Sequence, residues 1–218
     1  MAAKVFTIAQ QKGGAGKTTI ACHLAVSLAM GNGKALPRKV AIVDIDPQQS
    51  LARWHGQRVH ALGQGNGGLH LSAVSGWRTQ GEVDRLKRDM DFVVIDSPPH
   101  AETEARIAVR AADLVILPVQ PSPMDLWAIQ PTLDMARQEK VPVLLVFNRM
   151  PPRGLLADEM MARAKELGVP IAKSVIGNRV GFAASLLNGR AIGETNPTSR
   201  GAREIASLAR EVQRLAAR

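Results

Sequence analysis

The sequence predicts an α/β fold: a single domain over residues 1–218 in which a mainly parallel, twisted β-sheet is flanked by helices on both faces. Three observations carry this reading. Short apolar runs alternate with amphipathic stretches along the whole chain, as buried parallel strands alternate with crossover helices. A glycine-rich turn joins the first apolar run to the first amphipathic one. The 218 residues, 45% of them hydrophobic, suffice for one full core without a second module.

Residues 4–9 read as the first strand. Residues 17–30 read as a helix, because Ile20, Leu24 and Leu28 recur every four positions and the run Gly31-Asn32-Gly33 ends it. Further strands are expected at residues 40–43, 69–74, 92–95, 114–118, 143–147 and 171–175, several of them flanked by Pro or Gly, with helices of ordinary length between. Residues 63–68, rich in glycine, read as a surface loop, since glycines lose the most backbone entropy inside an element. Residues 203–218 place Ile205, Leu208, Val212 and Leu215 at spacings of three and four, a single apolar stripe expected to pack back on the sheet. There is no internal repeat and no low-complexity tail.

The formal net charge is +9, which favours a polyanionic partner such as nucleic acid or an acidic membrane surface. Part of the excess lies from Arg179 onward, where seven arginines face three glutamates (Glu194, Glu204, Glu211). No apolar run is long enough to span a bilayer and no secretory leader is evident, so a soluble, cytoplasmic protein is expected. The one cysteine, Cys22, excludes a disulfide framework, cannot alone make a metal site, and reads as a small buried hydrophobe.

The chemistry concentrates in Lys12-Gly13-Gly14-Ala15-Gly16-Lys17-Thr18-Thr19. A polyphosphate needs several backbone N–H groups aimed at its oxygens, and a glycine-rich turn opening into a helix N-terminus presents them without Cβ obstruction. Gly13, Gly14 and Gly16 stand between the first strand and its helix, so the segment is a phosphate-binding loop. Lys17 is placed to reach the β- and γ-phosphates and the Thr18 hydroxyl to ligate Mg²⁺. Gln11 occupies the position where such loops usually begin with glycine, and Lys12 follows it.

That departure resembles the deviant P-loop of the ParA/MinD family of ATPases, in which a second, signature lysine precedes two glycines. The resemblance runs from residue 4 to about 215 and implies ATP and Mg²⁺ as cofactors. It also implies a homodimer when ATP is bound, with Lys12 reaching the phosphates held by the partner copy, as an arginine finger does in trans. Residues 40–49, with Asp44 and Asp46 at a strand end, look like the family's first switch. By resemblance Asp46 orients or deprotonates the attacking water, and Asp44 helps hold the magnesium shell. Residues 92–99 look like the Walker B strand and second switch, with Asp96 holding Mg²⁺ through water; a carboxylate after four buried strand residues is costly unless a cation or hydrogen bonds compensate it. Residues 145–149 resemble the segment whose asparagine, here Asn148, recognises adenine. The nucleotide set is thus Gly13, Gly14, Ala15, Gly16, Lys17, Thr18, Thr19 and Asn148, the catalytic set Lys12, Lys17 and Asp46, and the metal set Thr18, Asp44 and Asp96. Residues 117–127 are also ParA-like, and whether Met124, Leu126 and Trp127 are core or interface stays open.

Within the family, iron proteins need more cysteines than Cys22, the tyrosine kinases end in tyrosines that this chain lacks, and the anion-pump ATPases are duplicated. A ParA-type DNA-partition or cargo-positioning ATPase is favoured over a MinD-type membrane-attached one. The final apolar stripe is narrow and lacks Phe and Trp. A metabolic ligase of the same fold is a weaker alternative, against which Lys12 argues. The ParA resemblance implies non-specific DNA binding, a ParB-like or other activating partner, and nucleoid association. Lys173, Arg179, Arg190, Arg200 and Arg203 are the candidate phosphate contacts. No base-reading helix-turn-helix segment is evident before the loop, so sequence-specific repression is not expected.

Overall fold

The computed structural model describes residues 2–31, 37–63, 69–99 and 102–217. The chain runs β1 (Lys4–Ile8), α1 (Lys17–Met30), β2 (Val40–Asp44), α2 (Ser50–Leu62), β3 (Leu69–Ala73), a 3-10 turn (Gly76–Arg78), α3 (Thr79–Asp89), β4 (Phe92–Asp96), α4 (Glu102–Arg110), β5 (Leu114–Val119), α5 (Pro123–Trp127), α6 (Gln130–Gln138), β6 (Val143–Phe147), α7 (Leu155–Glu166), α8 (Val180–Leu186), α9 (Ile192–Thr195) and α10 (Arg200–Ala216). Most of the glycine-rich run 63–68, and Asn32 and Gly33 beyond α1, lie outside the described residues. Gly31 does close α1, at φ 63°, where a side chain would be strained.

Six strands form one sheet in the order β3-β2-β4-β1-β5-β6, and every paired neighbour is parallel. Side chains alternate across it. Phe6, Ile8, Ile42, Val94, Ile116, Leu144 and Val146 face a layer built from α1, α2, α8, α9 and α10. On the other face Val5, Val43, Val93 and Ile95 meet α3 and α4, while Val115, Leu117, Leu145 and Phe147 meet α4 to α7. Both faces are covered, which is why the strand sequences are continuously apolar rather than alternating. Cys22 is fully buried in α1, and burial pushes its thiol well above the usual range.

The stripe on α10 behaves as its spacing predicts. Ile205, Leu208 and Val212 are buried, and the helix lies mainly on α1, with β5 beneath. Residues 171–175, expected as a seventh strand, are not one. Ile171 makes a single parallel bridge to Leu145, and the chain rejoins β6 only at Ile176, whose N–H donates to the Phe147 carbonyl. Between these points the carboxylate of Glu211 in α10 accepts the backbone N–H groups of Lys173 (2.9 Å) and Ser174 (3.2 Å) and the Ser174 hydroxyl (3.1 Å), so the Ser174 N–H is engaged outside the ladder. No helix among the described residues is long and apolar enough to cross a membrane.

Leu208 is fully enclosed between α10 and the layer beneath. Leu208→Ala should therefore cost about 2–5 kcal/mol of unfolding free energy, read as a lower urea midpoint with an unchanged slope.

Candidate functional site

Parallel strands bring their carboxyl ends to one edge, where open α/β sheets place their sites. In register, Asp96 of β4 lies beside Ile8 of β1 on one side and Asp44 of β2 on the other. The phosphate-binding loop leaves β1 at this edge. Gly14 (φ 76°) and Gly16 (φ 92°) take left-handed backbone conformations that side chains rarely adopt. A Cβ on Gly16 would also collide with the amide of Asn148.

Neighbouring strand ends hold the loop from behind. Gln120, just after β5, donates from Nε2 to the Gly14 carbonyl (2.9 Å), and Asn148, just after β6, donates from Nδ2 to the Ala15 carbonyl (2.8 Å). A trans peptide points its C=O and N–H in opposite directions, so fixing these carbonyls turns the N–H groups of Ala15 and Gly16 to the other side. That is the polarity an anion needs. Lys17 is buried and folds across the loop, its Nζ donating to the Lys12 carbonyl at 3.3 Å. Burial lowers the pKa of its ammonium, and the nearby charges of Asp96 and Asp46 oppose that shift.

The next residue, Thr18, donates from Oγ1 to Oδ2 of Asp96 at 2.6 Å. Asp96 is almost fully buried and its Oδ1 has no hydrogen-bond partner. Burial pushes its pKa up to about 7, and the neighbouring Asp44 and Asp46 add to the rise, against the Thr18 bond and Lys17. A buried carboxylate with one free oxygen, a hydroxyl at hand and two further carboxylates nearby suits a hard divalent cation. No group of three His, Cys, Asp or Glu side chains poised to hold a metal occurs among the described residues. Mg²⁺ keeps most of its waters and takes few protein ligands beside phosphate oxygens.

Asp44 and Asp46 have different occupations. Both oxygens of the buried Asp44 are in use: Oδ1 accepts from the Asp46 N–H (3.0 Å) and Oδ2 from the Ala52 N–H (2.9 Å) in the first turn of α2. Asp44 thus ties the strand end to the next helix, as an aspartate at a strand end can, and this narrows the metal-shell role expected of it. Asp46 is half-buried, and its carboxylate accepts the Gln48 N–H at 2.9 Å through Oδ1, with no bond to Oδ2 among the described residues.

The two lysines of the loop point different ways. Lys12 does not lie over its own loop. Its Nζ donates to Oδ2 of the buried Asp125 in α5 at 2.6 Å, and its side chain is 38% exposed. The open question about residues 117–127 resolves by side chain: Leu126 is core, while Met124 and Trp127 are exposed. Nothing in the sequence pattern marked Asp125.

Beside the first turn of α1 lies a cavity of about 290 Å³. Thr19, Ile20 and His23 line one side, and Asn148, Ile176 and Phe182 line the others. His23 accepts the Ile192 N–H at Nδ1 and meets the Phe182 carbonyl at Nε2, and burial lowers its pKa to about 4, so it is neutral. Asn148 therefore borders the cavity while its amide also clamps the loop.

The basic candidates separate. Lys173, Arg200 and Arg203 are exposed, and Arg190 is half-buried. Arg179 is committed to a two-point ion pair with Glu204 (2.6 and 3.1 Å), which also draws Arg200 at 3.5 Å. Arg210 and Arg214, not singled out in the sequence, are exposed on α10 at seven and eleven residues from Arg203. At 100° per residue those spacings put all three on one stripe.

Comparison with known proteins agrees with this geometry. Residues 6–192 match the CobQ/CobB/MinD/ParA nucleotide binding domain. The chain is 30% identical to the maintenance of carboxysome distribution protein A of Halothiobacillus neapolitanus, over 96% of this chain and 97% of that one. It is equally 30% identical to the chromosome-partitioning ATPase Soj of Thermus thermophilus, over 94% and 93%. The solved structure of a Cyanothece McdA variant in complex with ATP superposes with a TM-score of 0.77 at 19% identity, covering 98% of this chain and 96% of that one. The chain belongs to the CobQ/CobB/MinD/ParA family. It is a P-loop nucleotide-binding ATPase.

The raised pKa of Asp96 has a measurable consequence. Between the ordinary carboxyl value of 3.8 and about 7 the folded chain keeps a proton that the unfolded chain has released. The stability this group contributes is full at low pH and is lost as pH rises through 7. Nucleotide-free Asp96→Asn should lack that component. In urea titrations at about pH 5 and about pH 8, its stability relative to the native chain should be higher at the upper pH.

Proposed function

We propose that this chain is a ParA-type positioning ATPase acting as one functional domain over residues 1–218. The ATP-bound form pairs with a second copy and holds DNA without regard to sequence, and hydrolysis triggered by a ParB-like or other partner ends the cycle. The observation that carries the choice within the family is α10. Its apolar stripe is spent on α1 and β5, so no apolar face remains on that helix to enter a membrane, while Arg203, Arg210 and Arg214 face outward. The two curated relatives, named for carboxysome distribution and chromosome partitioning, support positioning as the task. Nucleoid association in the cytoplasm follows from the DNA reading.

In this reading the loop N–H groups and Lys17 hold the β- and γ-phosphates, and the base enters the cavity bordered by Asn148 and Thr19. Mg²⁺, when bound, neutralises charge on those phosphates. Thr18 and Asp96 are the residues that would hold it, and Asp44 keeps the turn to Asp46 in place. Asp46 orients a water against the γ-phosphorus or takes its proton. The bond to the β-phosphate oxygen breaks, leaving ADP and phosphate. Lys12 of the partner subunit supplies the remaining positive charge, which makes hydrolysis conditional on the dimer. Turnover without the activating partner is slow, because the partner completes the site.

Lys17→Ala should abolish nucleotide binding or hydrolysis; unchanged ATPase activity overturns the phosphate site. Asp46→Ala should accumulate an ATP dimer retained on DNA, with retention requiring ATP and fading as salt is raised. A mutant that stays monomeric and free of DNA at saturating ATP contradicts the role of Asp46. Binding to anionic liposomes but not to DNA would favour the MinD-type alternative.

A further inference from the structure

Residues 176–180 form one wall of the cavity beside α1. This stretch lies between β6 and α8, outside the sheet, so its position depends on what grips it from either side. Toward β6 two backbone bonds secure it: the Met150 N–H donates to the Ile176 carbonyl (2.9 Å) and the Asn178 N–H to the Met150 carbonyl (2.8 Å). Toward α10 it is held by Glu204. Oε2 of Glu204 accepts the Gly177 N–H and Nε of Arg179, each at 3.1 Å, and Oε1 accepts Nη2 of Arg179 at 2.6 Å. Three bonds from the wall thus converge on one carboxylate, whose side chain is only 14% exposed.

The packing around Arg179 is as particular as its bonding. A Cβ on Gly177 would stand 2.8 Å from Nη2 of Arg179, and one on Gly201, in the first turn of α10, would stand 3.3 Å from its Cδ. The guanidinium therefore rests against the backbone of the wall and the stem against α10, each at a place where only glycine leaves the room. Most ion pairs between long surface side chains contribute little, because ordering both costs entropy. Here the arginine fork is bidentate, the carboxylate is largely enclosed and a backbone N–H shares it, which is the strong form of the interaction.

We propose that Glu204 is a positioning residue for the nucleotide base: through Arg179 and the Gly177 N–H it holds the 176–180 wall at the spacing the base requires. This rests on the reading that the base enters the cavity bordered by Asn148 and Thr19. It also gives Arg179 a task inside the chain rather than on DNA. A phosphate that drew Arg179 away would sit beside the uncompensated carboxylate of Glu204, and the wall would lose its grip on α10. Arg200, which is 74% exposed and 3.5 Å from Glu204, stays available to an outside anion.

The test compares two probes in the presence of Mg²⁺, by calorimetry on the full chain: ADP, which carries a base, and inorganic tripolyphosphate, which carries phosphates alone. Circular dichroism checks folding. Glu204→Ala keeps a good helix former in α10 and removes all three bonds. It should weaken ADP several-fold and leave tripolyphosphate near its native affinity. Equal losses for both probes overturn the proposal, because the effect is then not on the base. Native ADP affinity in a folded Glu204→Ala chain also overturns it, while leaving the cavity reading intact. If the native chain holds ADP no more tightly than tripolyphosphate, the cavity reading fails and the proposal with it. Arg179→Gln should reproduce the selective loss of ADP, and the double mutant should lose little more than either single change; strict additivity overturns the route through Arg179. Should Glu204→Ala not fold, Gly177→Ala decides, since its Cβ displaces the guanidinium without touching α10: a folded Gly177→Ala chain with native ADP affinity overturns the proposal.

Discussion

Everything at the site depends on the sheet being parallel throughout. Each crossover returns the chain to the same end, so every strand delivers its last residues to one edge. The loop after β1, Asp44 at the end of β2, Asp96 at the end of β4, Gln120 after β5 and Asn148 after β6 meet there although they are scattered across the sequence. Were any of these strands reversed, its functional residue would lie five residues or so away, at about 3.3 Å each, beyond any side chain's reach. The fold therefore works as an alignment device, and the covered faces supply the rigidity that keeps the alignment.

The edge also concentrates negative charge. Burial raises the cost of ionising Asp44 and Asp96, the nearby Asp46 adds to both, and Asp96, the most buried, bears most of it. Lys17 offsets part of this but is itself buried and disfavoured as a cation. The nucleotide-free site is thus electrostatically unsettled in both signs. In the proposed reading a polyphosphate with a divalent cation would relieve both, because phosphate oxygens would answer Lys17 and the N–H groups while the cation would answer the carboxylates.

Much of this was legible in the sequence, and the limit has a physical origin. The six strands and the loop were readable because they depend on local pattern: apolar runs, the glycines of the turn, the spacing of Ile20, Leu24 and Leu28. The failures lie where a distant side chain overrides the local pattern. Residues 171–175 have a strand's composition, and at Ser174 the N–H goes instead to Glu211, 37 residues on. Asp44 could be placed at a strand end, but not its partner Ala52, and Asp125 gave no signal because its significance is a contact with Lys12 across 113 positions. The basic residues were read by charge alone, and charge does not reveal that Arg179 is already paired with Glu204 whereas Arg210 and Arg214 are free to face solvent.

One further long-range contact shows how the site edge is joined to the basic layer. α2 is held at its first turn by Asp44 and, two turns on, by Arg58, which is almost wholly buried under the α8–α9 connection. Arg58 forms a two-point pair with Glu194 (2.7 and 2.8 Å) and donates to the Gly189 carbonyl (3.1 Å). Burial alone would raise the Glu194 carboxyl, but Arg58 and the Ala191 N–H hold it below the usual range, so the pair is charged on both sides. Gly189 has φ 65°, and a side chain there would strike the backbone of α2 at Arg58, so the approach is as close as a glycine permits. Breaking a buried pair of this kind costs several kcal/mol, more than a surface loop could absorb. α2 is consequently tied to α9 more firmly than its own short contact with the sheet would require. Asp44, α2, Arg58 and Glu194 thus form one continuous run of contacts from the end of β2 to α9.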